Sequence, residues 1–155
     1  MYTIEPIAYV KNSRSAPDDD YWGDLISEII ISDKIAEQSI KGIEEFSHLE
    51  IIFYFHLADL AKIEISSSHP RENAKFPKVG IFAQRKKARP NLLGTTIVKL
   101  IKAEKNKLTV EGLDAVNGTP VIDIKPVIKE FLPKEKTVQP EWATDLMKNY
   151  WIKKK

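Results

Sequence analysis

Four cations occupy five consecutive positions, Arg85, Lys86, Lys87 and Arg89, and Asn91 follows two residues later. Guanidinium and ammonium groups at this density attract phosphate. Screening confines their effect to about 8–10 Å, so such a patch can bind phosphate although the net charge is only +2. The ordinary alternative is a solvated charged loop. Val79-Gly80-Ile81-Phe82-Ala83-Gln84 runs into the patch, and Pro90-Asn91-Leu92-Leu93-Gly94-Thr95 runs out of it. A second glycine-punctuated block, Gly112-Leu113-Asp114-Ala115-Val116-Asn117-Gly118-Thr119-Pro120, has the same character. In each, an apolar strand-like run meets a polar loop rich in hydrogen-bonding groups, which is how a rigid sheet presents a ligand site at its rim. For the second block the competing expectation is a plain hairpin turn, since both Asn117 and Gly118 tolerate positive φ.

Other reactive side chains are more scattered. Pro17 precedes an acidic knot, Asp18-Asp19-Asp20, and Asp114 and Asp123 are candidate general bases by residue type alone. Asp123 sits between Ile122 and Ile124 in a strand pattern, where a structural hydrogen bond is at least as good an explanation. The three histidines, His48, His56 and His69, are too widely spaced to suggest a metal site, so none is expected. With no cysteine in the chain, disulfides, zinc-thiolate sites and cysteine nucleophiles are excluded.

The elements that must position these groups are mostly strands. Alternating or β-branched runs predict strands at Tyr2–Val10, Leu25–Ser32, Leu49–His56, Lys62–Ser66, Val79–Gln84, Thr95–Ala103, Lys107–Leu113 and Pro120–Ile124. Glu104-Lys105-Asn106 reads as a hairpin turn. Asp33 is placed to cap a short helix through Ile40. A second helix is expected from Pro140 toward Trp151, with Trp142, Leu146, Met147, Tyr150 and Trp151 forming one apolar stripe. Such a stripe covers a core or anchors a dimer contact. The 155 residues are 43% hydrophobic, enough for one packed domain. No apolar run approaches the roughly 20 residues of a membrane span, and the first residues lack the basic and apolar regions of a signal peptide, so a cytoplasmic protein without a membrane partner is expected.

Several separated blocks then agree in order. Gly42-Ile43-Glu44-Glu45-Phe46-Ser47-His48-Leu49, the aromatic strand ending Phe55-His56, His69-Pro70-Arg71, Val79 through Arg85 with Arg89-Pro90-Asn91, and Gly112 through Pro126 resemble the TsaA-like family, also called TrmO or VirR-like, over roughly residues 4 to 130. The resemblance implies a mainly β fold, a single-sheet barrel with short helices over residues 1–133. It leaves 134–155 as a C-terminal extension whose amphipathic helix packs on the barrel or on a dimer partner. It also implies a homodimeric S-adenosylmethionine-dependent methyltransferase, acting on N6 of N6-threonylcarbamoyladenosine beside the tRNA anticodon. Other readings are a methyltransferase on another nucleotide or small molecule, or a non-catalytic regulatory module that binds S-adenosylmethionine or RNA.

The resemblance places the cofactor against Pro17, Asp18, Asp19, His56, Leu57, Arg85, Thr95, Asp114, Ala115, Val116 and Asn117. Arg85 offers a planar donor fork to a carboxylate. Lys86, Lys87, Arg89 and Asn91 face the tRNA anticodon loop, whose unstacked bases expose phosphate, ring faces and base edges. His48 stays a hydrogen-bonded structural residue, and His69-Pro70-Arg71 lies in a long polar loop expected to lid the site or touch substrate. The sequence departs from the family where Pro-Arg-Gln is common: here the first loop is Ala16-Pro17-Asp18-Asp19-Asp20-Tyr21-Trp22-Gly23. Arg89-Pro90-Asn91-Leu92-Leu93-Gly94 and Asn117-Gly118-Thr119-Pro120 keep the turn glycines and change neighbouring side chains.

Overall fold

Hydrophobic side chains at every second position define the barrel. In the computed structural model, which describes residues 1–154, strands β1 (Ala8–Lys11), β2 (Ile26–Ile31), β3 (His48–Tyr54), β6 (Leu93–Glu104), β7 (Lys107–Glu111) and β8 (Pro120–Pro126) close in the order β1-β2-β7-β6-β3-β8. Every pairing in it is antiparallel. Leu49, Ile51 and Phe53 of β3 point inward and meet Ile29 and Ile31 of β2, Leu108 and Val110 of β7, and Val98 of β6. Burying each such side chain contributes about 1.5–3 kcal/mol, so the period-2 pattern fixes both which face is inside and the register. The ring closes where β8 meets β1, with Ala8 opposite Val121 and the Ile7 N–H donating to the Val121 carbonyl at 2.9 Å.

Loops at one rim carry the two glycine blocks. The turn between β6 and β7 is Lys105-Asn106, with Lys105 at φ 51°, as the Glu104-Lys105-Asn106 signal requires. Gly118 turns at φ 83° just before β8. Its N–H donates to the Val10 carbonyl at 2.7 Å, which pins the second glycine block onto β1.

Several local expectations give way to tertiary context. The first strand begins at Ala8 rather than Tyr2, because among the described residues none before Ile7 bonds its backbone to β2 or β8. Lys62–Ser66 is not a strand: a 3₁₀ turn spans Leu60–Lys62, started by the Asp59 carboxylate accepting from the Ala61 N–H at 3.0 Å. The pairing in that region is one step later, between β4 (Ser67–Ser68) and β5 (Val79–Gly80), a two-stranded ribbon apart from the barrel. Val79–Gln84 is likewise strand only to Gly80 and then a 3₁₀ turn, Ile81–Ala83. The helix expected from Asp33 is reduced to a 3₁₀ turn at Glu37–Ile40 with no side-chain cap. At the other end, α1 covers Glu141–Met147 with Pro140 just outside its first turn, and further turns continue to Trp151. Trp142, Leu146, Met147 and Tyr150 are half-buried, and Lys75, in the connection between β4 and β5, binds Asp145 of the helix at 3.1 Å.

Candidate functional site

A cleft opens at the rim where β3 ends and the Gly112–Gly118 segment crosses it. Its walls come from three stretches far apart in sequence: Phe53 at the end of β3 with Phe55, His56, Leu57 and Ala58 after it; Asp114, Ala115, Val116 and Thr119 before β8; and Pro17 and Trp22 of the first loop, with Lys87 at the edge. Register brings them together, because β3 pairs with β8 along its length and shifts by one residue between Ile52 and Phe53. A bulge of this kind re-aims side chains at a barrel rim. Phe53 and Phe55 meet edge to face at 5.3 Å between ring centroids.

Asp114 is held at both oxygens. The Thr96 hydroxyl of β6 donates to its Oδ1, and the Tyr150 hydroxyl from the C-terminal segment donates to its Oδ2. Burial, followed by the charge of Asp114 and the hydrogen bond to it, pushes the Tyr150 hydroxyl well above the ordinary phenol range, so it remains a donor. The backbone beside Asp114 is asymmetric. The Ala115 carbonyl accepts from the Asn12 side chain at 2.9 Å and the Val116 carbonyl accepts from the Thr119 hydroxyl at 2.7 Å. The N–H groups of Ala115 and Val116 donate to no protein acceptor among the described residues, leaving two adjacent donors in the cleft wall.

The first loop is strapped down by charge. Lys87 Nζ donates to the Pro17 carbonyl at 2.5 Å and lies 3.7 Å from Asp19. Arg71 binds both carboxylate oxygens of Asp20, at 2.8 and 3.2 Å. Burial opposes the charge on Arg71, but that hydrogen bond and the charges of Asp20 and Asp19 together outweigh it and hold the guanidinium above its ordinary value. Arg14 stacks over Trp22 at 3.5 Å from the ring centroid. Tyr21 and Arg71 both carry positive φ, 69° and 54°, which such side chains adopt only where surrounding contacts hold them.

The structure therefore brings Pro17, His56, Leu57, Lys87, Asp114, Ala115 and Val116 into one cleft. Asp18 and Asp19 line a neighbouring depression with Arg14, Asp20, Tyr21 and Arg71. Arg85 is exposed, and its Nη2 donates to the Thr95 carbonyl at 2.5 Å, so these two form a pair of their own beside the cleft. Asn117 accepts from the Asn12 N–H at 3.1 Å and acts as a loop brace. Asn91 lies toward solvent, Lys86 is half-buried, and Arg89 donates to the Gln84 carbonyl at 2.9 Å. His48 shares a 2.7 Å hydrogen bond with Ser47, and His69 one with the Phe76 carbonyl at 2.7 Å, which is the structural role expected of His48. Sequence reasoning missed Trp22, Phe53, Phe55 and Thr119. The signals available were the Phe53-Tyr54-Phe55 run ending in His56 and a tryptophan two residues past the acidic knot.

A closed antiparallel barrel with a cleft at its rim, built from these blocks in this order, defines one class of domain. Residues 8–131 match the family described as tRNA-methyltransferase O N-terminal domain, and the chain belongs to it. The human tRNA (adenine(37)-N6)-methyltransferase is 37% identical over 113 residues, 73% of this chain but only 25% of that protein. An S-adenosyl-L-methionine-binding protein from Archaeoglobus fulgidus is 32% identical over 132 residues, covering 83% of this chain and 91% of its own length. A crystal structure of TrmO from Pseudomonas aeruginosa superimposes with a TM-score of 0.72 at 24% identity, over 88% of this chain and 61% of that one, a likeness of fold. The chain thus spans about a quarter of the human relative.

Proposed function

We propose that this chain binds S-adenosylmethionine in the rim cleft and methylates N6 of adenosine in tRNA, with N6-threonylcarbamoyladenosine beside the anticodon as the acceptor. The observation that carries this is the convergence of His56-Leu57 with Asp114-Ala115-Val116 and Trp22 around one cleft. The names of the relatives supply the chemical class: one methylates adenine 37 of tRNA and another binds S-adenosylmethionine.

The residues present fit such a ligand. Trp22, Phe53 and Phe55 offer apolar surface to a purine ring, the N–H groups of Ala115 and Val116 offer donors to its ring nitrogens, and the Asp114 side chain accepts from amino or hydroxyl groups. When bound, S-adenosylmethionine supplies a methyl group on a sulfonium, which passes by in-line displacement to the acceptor nitrogen. The protein's contribution is placement: the aromatic walls exclude water and the two donors fix one end, so the reacting atoms meet in a near-attack arrangement. No protein nucleophile is needed. Lys86, Arg89 and Asn91, in the segment that carries the cleft-edge Lys87, contact the RNA, while Lys87 holds the first loop.

We further infer a barrel unit of residues 1–133 with the segment 134–155 as an extension, a homodimer in solution, and a cytoplasmic location. Calorimetry with S-adenosylmethionine tests the cleft, and a Trp22→Ala chain that binds with wild-type affinity contradicts the placement. Methyl transfer to tRNA bearing or lacking threonylcarbamoyl tests the acceptor. Transfer to a small molecule with no tRNA affinity at low salt would reject the tRNA assignment.

A further inference from the structure

Tyr150 lies outside residues 8–131, the span matched to the family, yet its hydroxyl bonds Asp114 of the cleft wall. Residues 149–152 form a strap that runs alongside the first loop as a short backbone ladder: the Tyr21 N–H donates to the Asn149 carbonyl at 3.2 Å and the Trp22 N–H to the Tyr150 carbonyl at 2.8 Å. The fit is close. A Cβ added to Gly23 would lie 1.9 Å from the Trp151 carbonyl oxygen, so only glycine admits the strap there. Tyr150 packs edge to face on Trp151, with ring centroids 4.9 Å apart, and its hydroxyl reaches Oδ2 of Asp114.

We propose that Tyr150 is a positioning residue for ligand binding, fixing the Asp114 carboxylate and the Trp22 wall of the cleft from a segment that the family's barrel does not include. This rests on the cleft being the S-adenosylmethionine site. A carboxylate with one donor at Oδ1, from Thr96, can still swing about its Cβ–Cγ bond, and a second donor at Oδ2 removes that freedom. Each oxygen keeps a further lone pair for a ligand amino or hydroxyl group. The same strap supplies the carbonyl that holds the Trp22 backbone, so carboxylate and aromatic wall are set together. Preorganised partners of this kind raise affinity by removing ordering cost at the moment of binding.

The test is a double-mutant cycle read by calorimetry with S-adenosylmethionine on the full chain. Tyr150→Phe keeps the ring and removes the hydroxyl, and it is expected to weaken binding roughly 10- to 100-fold, the range for losing a hydrogen bond to a charged group. In an Asp114→Asn background the same change is expected to cost less than about twofold, since the charged partner through which it acts is gone. A purely structural tyrosine would cost the same in both backgrounds. Gly23→Ala, which displaces the strap without altering Tyr150 or Asp114, is expected to weaken binding at least as much as Tyr150→Phe. Wild-type affinity in Tyr150→Phe, or an equal loss in both backgrounds, overturns the proposal and leaves the cleft assignment standing. No binding by the wild-type chain overturns both.

Discussion

Gly94 is the second residue of β6, paired with Phe53 of β3, and replacing it with alanine tests whether the cleft aromatics are as tightly set as the structure makes them. A Cβ at this position would stand 2.6 and 2.7 Å from Cε2 and Cζ of Phe53 and 2.7 Å from Cζ of Phe55. Ordinary carbon contacts begin near 3.5 Å, so both rings must move by most of an ångström. Phe53 is 1% exposed and locked in the core, so it cannot yield without disturbing Leu49, Ile51 and their neighbours. Overpacking of this kind costs about 1–3 kcal/mol, which for a chain of this size lowers the melting midpoint by roughly 2–4 °C per kcal/mol. Phe55 is half-buried, so part of the adjustment is expected to push its ring into the cleft and weaken S-adenosylmethionine binding as well. Gly80→Ala is the control, because its added Cβ meets nothing nearer than the Ser66 carbonyl oxygen at 3.9 Å. Its effect should stay within about 0.5 kcal/mol. Urea unfolding of both variants with the wild type measures the difference. Equal stabilities would refute the claim that Gly94 is required by the ring contacts.

Three further outcomes are expected. Lys86→Ala should reduce the slope of log binding constant against log salt for tRNA by roughly one while sparing cofactor affinity, measured by filter binding across a salt series. An unchanged slope would remove Lys86 from the RNA face. The Tyr150 hydroxyl has a raised value in the folded chain, so above about pH 10 the unfolded chain loses its proton while the folded chain keeps it. The stability it contributes is present below pH 10 and is lost as pH rises further. Urea melts between pH 8 and 11 should accordingly fall less steeply for Tyr150→Phe, and parallel curves would contradict the burial of that hydroxyl. Arg71→Ala should release the first loop by removing the bidentate partner of Asp20, seen as faster hydrogen exchange at Tyr21 and Trp22 with the barrel strands unaffected. Uniform exchange with the wild type would mean that the strap alone holds the loop.

The barrel was legible wherever one face of a strand had to be buried. Leu49, Ile51 and Phe53 alternate with half-exposed residues, and Leu108 and Val110 do the same, so period and register follow from sequence. Expectations failed where local pattern had no partner to support it. Ile63 and Ile65 look strand-like, yet Ile65 is 80% exposed and the chain there turns under Asp59 instead. The cleft was legible in part: His56, Leu57 and Asp114 to Val116 sit in recognisable blocks, and β3–β8 pairing makes them neighbours. Tyr150 was legible only as part of an apolar stripe. Its bond to Asp114 spans 36 residues and depends on where the strap crosses the first loop, which no periodicity encodes. Likewise the charge of Arg85 suggested a ligand, while its geometry gives it the Thr95 carbonyl.

The central claim is that the rim cleft holds the methyl donor next to a tRNA acceptor, and single-turnover transfer of labelled methyl from S-adenosylmethionine to purified tRNA tests it most directly. Wild-type chain is expected to label tRNA carrying N6-threonylcarbamoyladenosine and to leave tRNA lacking that group unlabelled. Asp114→Ala is expected to lower transfer at least tenfold by removing the acceptor held by Thr96 and Tyr150. Equal labelling of both tRNAs, or full transfer by Asp114→Ala, would contradict the account.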